Sequence, residues 1–224
     1  MTGQERLHER VLIAAAGNLA TDRAITNELS TAMQSRVVHI EMEHDFAEWY
    51  EDVAMKENYD LRIKAFLSYQ PSALMDFRPE HNEKTFCCPR TWEFVNRLLR
   101  NIPNAELDDY QGLIAGTITS ATAISFVTFT RLFSNLPRFE NVIKDPELVP
   151  VPIDAATRFA CIAHLLEYID DKTFEQVSKY VNRFQTETRV MFYRSLMVQH
   201  PEWRKTETFV KAMVELNRYL HSDD

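Results

Sequence analysis

A chain of 224 residues with 45% hydrophobic content is long enough to bury one good core or two modest ones. Its formal charge of -8 and pI near 5.4 argue against nucleic acid or an anionic membrane as the main partner, because both reward clustered Lys and Arg. Three cysteines, Cys87 and Cys88 adjacent and Cys161 distant, match neither a disulfide framework nor paired metal knuckles. With no charged-then-apolar leader and no membrane-length apolar run, they point to a reducing, cytoplasmic setting.

In chain order, Val11 to Ala16 is short, apolar and closed by Gly17-Asn18, which reads as a strand buried on both faces and then a turn. Thr26 is placed to cap a helix carrying Leu29, Ala32 and Met33. Val37 to Glu43 alternates, with Val38, Ile40 and Met42 on one face and His39, Glu41 and Glu43 on the other, which predicts a half-buried strand. From Asp45 the hydrophobic period changes from two to about 3.6 and stays there. Asp45 caps a helix bearing Phe46, Trp49, Tyr50 and Val53, and a second carries Leu61, Ile63, Phe66 and Leu67. Pro89 opens a helix with Trp92, Val95, Leu98 and Leu99 inward, and Pro103 ends that stretch.

Beyond residue 105 the pattern is helical, interrupted by Pro137 and by the prolines between 146 and 152. Asp154 caps a helix with Phe159, Ile162, Leu165 and Leu166, and the runs Phe174 to Met197 and Phe209 to Leu220 complete the set. Leu165 to Asp171 imitates an apolar-then-acidic Walker B strand, but its helical period makes it a helix end. His39, Glu41, Glu43 and His44 read as a solvated strand face before they read as metal ligands. Gly112 and Gly116 predict close helix packing.

Three segments together carry a resemblance. They are Ala-Ala-Gly-Asn with Asp-Arg-Ala (Ala15 to Ala24), Ser-Arg-Val-Val-His-Ile (Ser35 to Ile40) and Pro-Arg-Thr-Trp-Glu (Pro89 to Glu93). In this order they resemble the MoxR-like branch of AAA+ ATPases. The likeness continues into Gly-Leu-Ile-Ala-Gly-Thr (Gly112 to Thr117) and Asp-Pro-Glu-x-x-Pro-Val-Pro (Asp145 to Pro152). The resemblance puts Asn18 at the sensor-1 position, Arg36 at the arginine finger and Arg90 at sensor 2. Arg23 is a further phosphate-contacting candidate, for which an ion pair with Asp22 or Glu28 is the competing account. Taken singly, Asn18 is a turn residue and Arg36 a solvated arginine; the family order is what gives them roles. A guanidinium suits such a role because it stays charged and forks onto phosphate oxygens.

The resemblance implies a mainly α chain: a two-strand remnant of an AAA+ α/β sheet over residues 1–44, a helical lid over 45–103 and an all-α extension over 104–224. The four glycines, at positions 3, 17, 112 and 116, cannot build Gly-x-x-x-x-Gly-Lys-Ser/Thr. ATP and Mg²⁺ are therefore expected for the complete module and not for these residues alone, which are expected to be inactive in hydrolysis. The complete protein is expected to form a homo-oligomeric ring, a hexamer in this family, with ATP between subunits. It would remodel partner proteins in a chaperone-like way, with a von Willebrand A domain protein as a partner. The competing expectation is a non-catalytic helical interaction module that keeps the sensor residues as relics.

Overall fold

The structure is a computed structural model that describes residues 8, 10–18, 30–80 and 82–220. It divides into two compact units, one of residues 1–42 with 78–81 and the other of 43–77 with 82–224. Helix dominates, and no strand occurs among the described residues.

In the first unit the single described helix is α1 (Thr31–Gln34), preceded by Ser30 at the cap. The cap expected at Thr26 lies outside the described residues. Both expected strands are corrected here. Residues 11–18 are exposed and irregular, with Leu12 at 92% of its free-chain exposure, and Val38, Ile40 and Met42 are likewise exposed. A strand is defined by the ladder of a neighbour, and periodicity alone cannot supply one. An apolar run without that neighbour stays in water.

The second unit is held by helices whose starts are capped by side chains. The Asp45 carboxylate accepts from the Glu48 N–H at 2.8 Å and opens α2 (Phe46–Trp49), which widens into a π turn over Tyr50–Ala54. That element ends in a Schellman pattern: the Tyr59 N–H donates to the Ala54 carbonyl at 2.9 Å and the Asn58 N–H to Met55 at 3.4 Å. The pattern requires a left-handed residue between them, and Asn58 supplies it with φ of 53°. Asp60 then caps α3 (Leu61–Tyr69), accepting from the Arg62 N–H at 2.9 Å. α4 (Pro89–Leu99) begins with proline in its first turn and with the Cys88 N–H donating to the Thr91 hydroxyl at 2.9 Å.

Further along come α5 (Gln111–Ala115), α6 (Ser120–Thr130), α7 (Phe139–Lys144), α8 (Ala155–Tyr168), α9 (Phe174–Val181), α10 (Thr186–Gln199) and α11 (Glu207–Leu220). Asp154 caps α8 as its sequence position predicts, and the Walker B imitation is the end of that helix. The run from 174 to 197 is two helices rather than one. Phe184 turns inward between them, and the Tyr193 hydroxyl donates to the Asn182 side chain at 2.9 Å across the bend. Gly112 has open space where a Cβ would stand, so the expected close packing at the glycine pair does not occur.

The core forms where α3 meets α6 and α8. Phe66 lies 5.8 Å from Trp92, 5.4 Å from Phe126 and 5.5 Å from Phe129, ring centre to ring centre. Trp92 is completely buried, and its indole N–H donates to the Ala73 carbonyl at 2.7 Å, which satisfies its one polar atom. α10 packs on α8, and α11 on α10 through the edge contact of Tyr193 with Phe209.

Arg62 is buried against this core. Its Nε and Nη2 fork onto the Asp60 carboxylate at 2.9 and 2.7 Å, Nη1 donates to the Ile102 carbonyl at 3.0 Å and Nη2 to Leu99 at 3.2 Å. The Asp60 N–H donates to the Asn96 side chain at 2.8 Å. One side chain thus ties the start of α3 to the end of α4, whose last carbonyls favour a cation. The connection from α7 to α8 is held comparably: Arg183 donates to the Pro146 and Val149 carbonyls at 2.6 and 2.8 Å, and Tyr180 to Pro150 at 2.8 Å. Arg158 donates to the Ile153 carbonyl in the same connection.

Four outcomes are expected. Arg62→Ala strands the Asp60 carboxylate and two carbonyls in a buried site and lowers the unfolding free energy in urea by about 3 to 5 kcal/mol. Arg131→Ala, which breaks an ion pair more than half exposed on both sides, costs about 1 kcal/mol or less. Deleting residues 1–42 leaves the helical circular-dichroism signal per residue of the second unit in place. In the intact monomer the amides of residues 12–18 exchange with deuterium far faster than those of α3 and α8.

Candidate functional site

The four sequence-nominated residues fall into different settings. Asn18 is exposed at the end of the apolar run of the first unit. Arg36 is exposed just after α1, and its guanidinium folds back to donate to the Ala32 carbonyl. Arg23 lies outside the described residues. Arg90 belongs to the second unit and stands exposed in the first turn of α4.

The start of α4 is the best-fixed of these positions. The Thr91 hydroxyl donates to the Cys88 and Phe86 carbonyls at 3.0 and 3.1 Å while accepting from the Cys88 N–H. Cys87, fully buried, sits within 3.4 Å of the Thr122 hydroxyl and 3.9 Å of that of Thr119, and the Thr85 hydroxyl donates to the Thr117 carbonyl at 2.7 Å. Arg90 therefore projects from a rigid helix start, where the Thr91 N–H is capped by the Cys88 sulfur and the Trp92 N–H by the Cys88 carbonyl, so that the positive end of the helix and the guanidinium itself are what favour an anion. Burial pushes the Cys87 thiol pKa up and that of Cys161 up to about 12, so neither thiol is a nucleophile at neutral pH.

Among the clefts that the described residues of the second unit line, two bear on a binding role, and neither is announced by the sequence. One, of about 350 Å³, is mainly apolar, walled by Phe46, Phe159, Val190, Met191 and Tyr219. The buried Tyr50 hydroxyl sits 3.2 Å from the Ser195 hydroxyl beside it, and burial raises the phenol pKa. The other, of about 390 Å³, is more polar. Its lining joins the Asp60–Arg62 pair, Asn104 and Phe133 to three residues of α8: His164, Glu167 and Tyr168. His164 meets the Tyr168 ring edge-on at 5.1 Å. Burial lowers the pKa of His164, and Glu140 and Glu167 oppose that shift without overcoming it. The i, i+3 spacing of His164 and Glu167 put them on one helix face in the sequence, but nothing local to α8 announced the cleft.

Among the described residues, no three His, Cys, Asp or Glu side chains converge as metal ligands would, and no helix is long and apolar enough to cross a membrane. Comparison with protein-family models, with curated proteins and with solved structures finds no match to this chain.

His164 gives a pH signature with a defined sign. Its folded pKa lies below the ordinary 6.5, so on acidification the unfolded chain takes up the proton first. Its contribution is present above pH 6.5 and is lost as pH falls toward the lowered value. His164→Gln should flatten that part of the acid limb in urea midpoints measured from pH 7.5 to 5.

Proposed function

We propose that this chain is the C-terminal part of a MoxR-like AAA+ ATPase, which uses ATP hydrolysis to remodel partner proteins. In this reading Arg90 contacts nucleotide from the lid, Asn18 orients the attacking water and Arg36 reaches the nucleotide of a neighbouring subunit. Arg23 contributes from the segment after Asn18. The observation that carries the reading furthest is the setting of Arg90. An exposed guanidinium stands in the first turn of a helix whose start is fixed by Thr91, Cys87 and Thr85. A helix N-terminus and a guanidinium together make an anion-binding surface.

The exposed apolar runs 11–16 and 37–42 fit the same reading, since each would gain a ladder from sheet strands that these residues do not contain. ATP and Mg²⁺ would be held chiefly by a P-loop lobe outside this sequence, and a ring of subunits, six in this family, would complete each site. A von Willebrand A domain protein is the partner the reading favours.

These 224 residues alone are expected to hydrolyse no ATP above background. Tandem mass spectrometry of the native assembly should find a P-loop peptide, either continuous with this chain or in stoichiometric company with it. In that assembly Arg36→Ala should cut turnover by about 10³-fold or more with nucleotide still bound, and Arg90→Ala should weaken nucleotide binding itself. Mixing the Arg36 variant with a P-loop variant should restore part of the rate. Steady turnover by the isolated chain, lost on Arg90→Ala, would overturn the reading. So would a native assembly without any P-loop.

A further inference from the structure

We propose that the polar cleft beside Arg62 is a binding site for a small organic cation, an ammonium or guanidinium group on an apolar stem. The inference is independent of the nucleotide reading and starts from where the charges of the cleft are spent. Arg62 is the cation of its lining, and four of its five N–H groups are engaged, two on Asp60 and one each on Leu99 and Ile102. It has almost nothing left with which to hold an anion, and the Asp60 carboxylate neutralises its charge.

What remains toward the cleft is of the opposite sign. Glu167 keeps an exposed carboxylate at its edge, and Glu140 acts on the same region through His164. Lys64, the cation coupled to Glu167, meets it in a narrow cavity of about 10 Å³ that both residues line, but Lys64 itself does not line this cleft. The walls offer aromatic and aliphatic surface: Phe133, Leu61 and the ring of Tyr168, which is 56% exposed and braced by His164 and Phe139. A cation beside a carboxylate and over a phenol ring gains from both, and its apolar stem gains from the walls. The volume of about 390 Å³ suits a small molecule, and the fixed floor means that binding need order little.

Phenethylamine serves as the cationic probe, with 2-phenylethanol and 3-phenylpropionate as neutral and anionic counterparts of similar size, each titrated into the full chain by calorimetry. Saturable phenethylamine binding is expected, at least about tenfold tighter than that of either counterpart. Glu167→Gln, with its fold checked by circular dichroism because Glu167 also faces the buried Lys64, should remove that tenfold preference. Tyr168→Ala should weaken the amine severalfold. In NMR titrations the Leu61 and Ile102 methyl groups should shift on addition of the amine. The proposal is overturned if the amine shows no saturable binding, if the alcohol or the acid binds equally well, or if Glu167→Gln leaves the preference in place.

Discussion

A buried guanidinium with four hydrogen bonds holds the second unit in register. Arg62 reaches from the first turn of α3 to the last carbonyl of α4, at Leu99, and to that of Ile102 just beyond it, and its carboxylate partner, Asp60, is also the residue that starts α3. Helix initiation and helix–helix attachment therefore share one acidic side chain. A buried ion pair is seldom a large net source of stability, because desolvation offsets most of its Coulomb gain. Its value here is geometric. Hydrophobic contact alone would let α3 and α4 slide past each other by a fraction of a turn, whereas two carbonyls, a carboxylate and an asparagine have one mutual fit.

That fit sets where the aromatic cluster forms. With α3 fixed on α4, Phe66 and Trp92 come within 5.8 Å, and the rings of α6 close over them. α8 packs against α3, and through α8 the same frame extends to α10 and α11. The polar cleft is a by-product of this arrangement. It opens where the Arg62 clamp meets α8, so its floor is as rigid as the core beneath it.

Local signals are legible in the sequence. Asp45, Pro89 and Asp154 announced helix starts because a cap depends on residues three apart, and the apolar spacing of Trp92, Val95 and Leu99 marked the buried face of α4. What the sequence hid was non-local. Val11 to Ala16 has strand character, but a strand exists only with a neighbour, and among the described residues none pairs with it. Residues 174 to 197 look continuous because no proline breaks them; the bend comes from burying Phe184 and from Asn182 bonding Tyr193. Of the candidate site residues, Arg90 could be placed at a helix start from Pro89 alone. The roles of Arg62 and His164 depended on carbonyls and walls far away in the chain, which no window of residues displays.

The connection between α7 and α8 is an exposed loop with the construction of an interior one. Tyr180 of α9, Arg183 of the turn after it and Arg158 of α8 occupy its carbonyls, while Leu148 and Ile153 stand almost bare in water. Surface loops normally absorb insertions and drift freely in sequence. This one is constrained the other way round, with its backbone path fixed and its tips free. Length changes between 146 and 153 would misplace three anchors at once, so sequence divergence in this protein should spare Arg158, Tyr180, Arg183 and the spacing of the prolines, and should fall on residues 148 and 153.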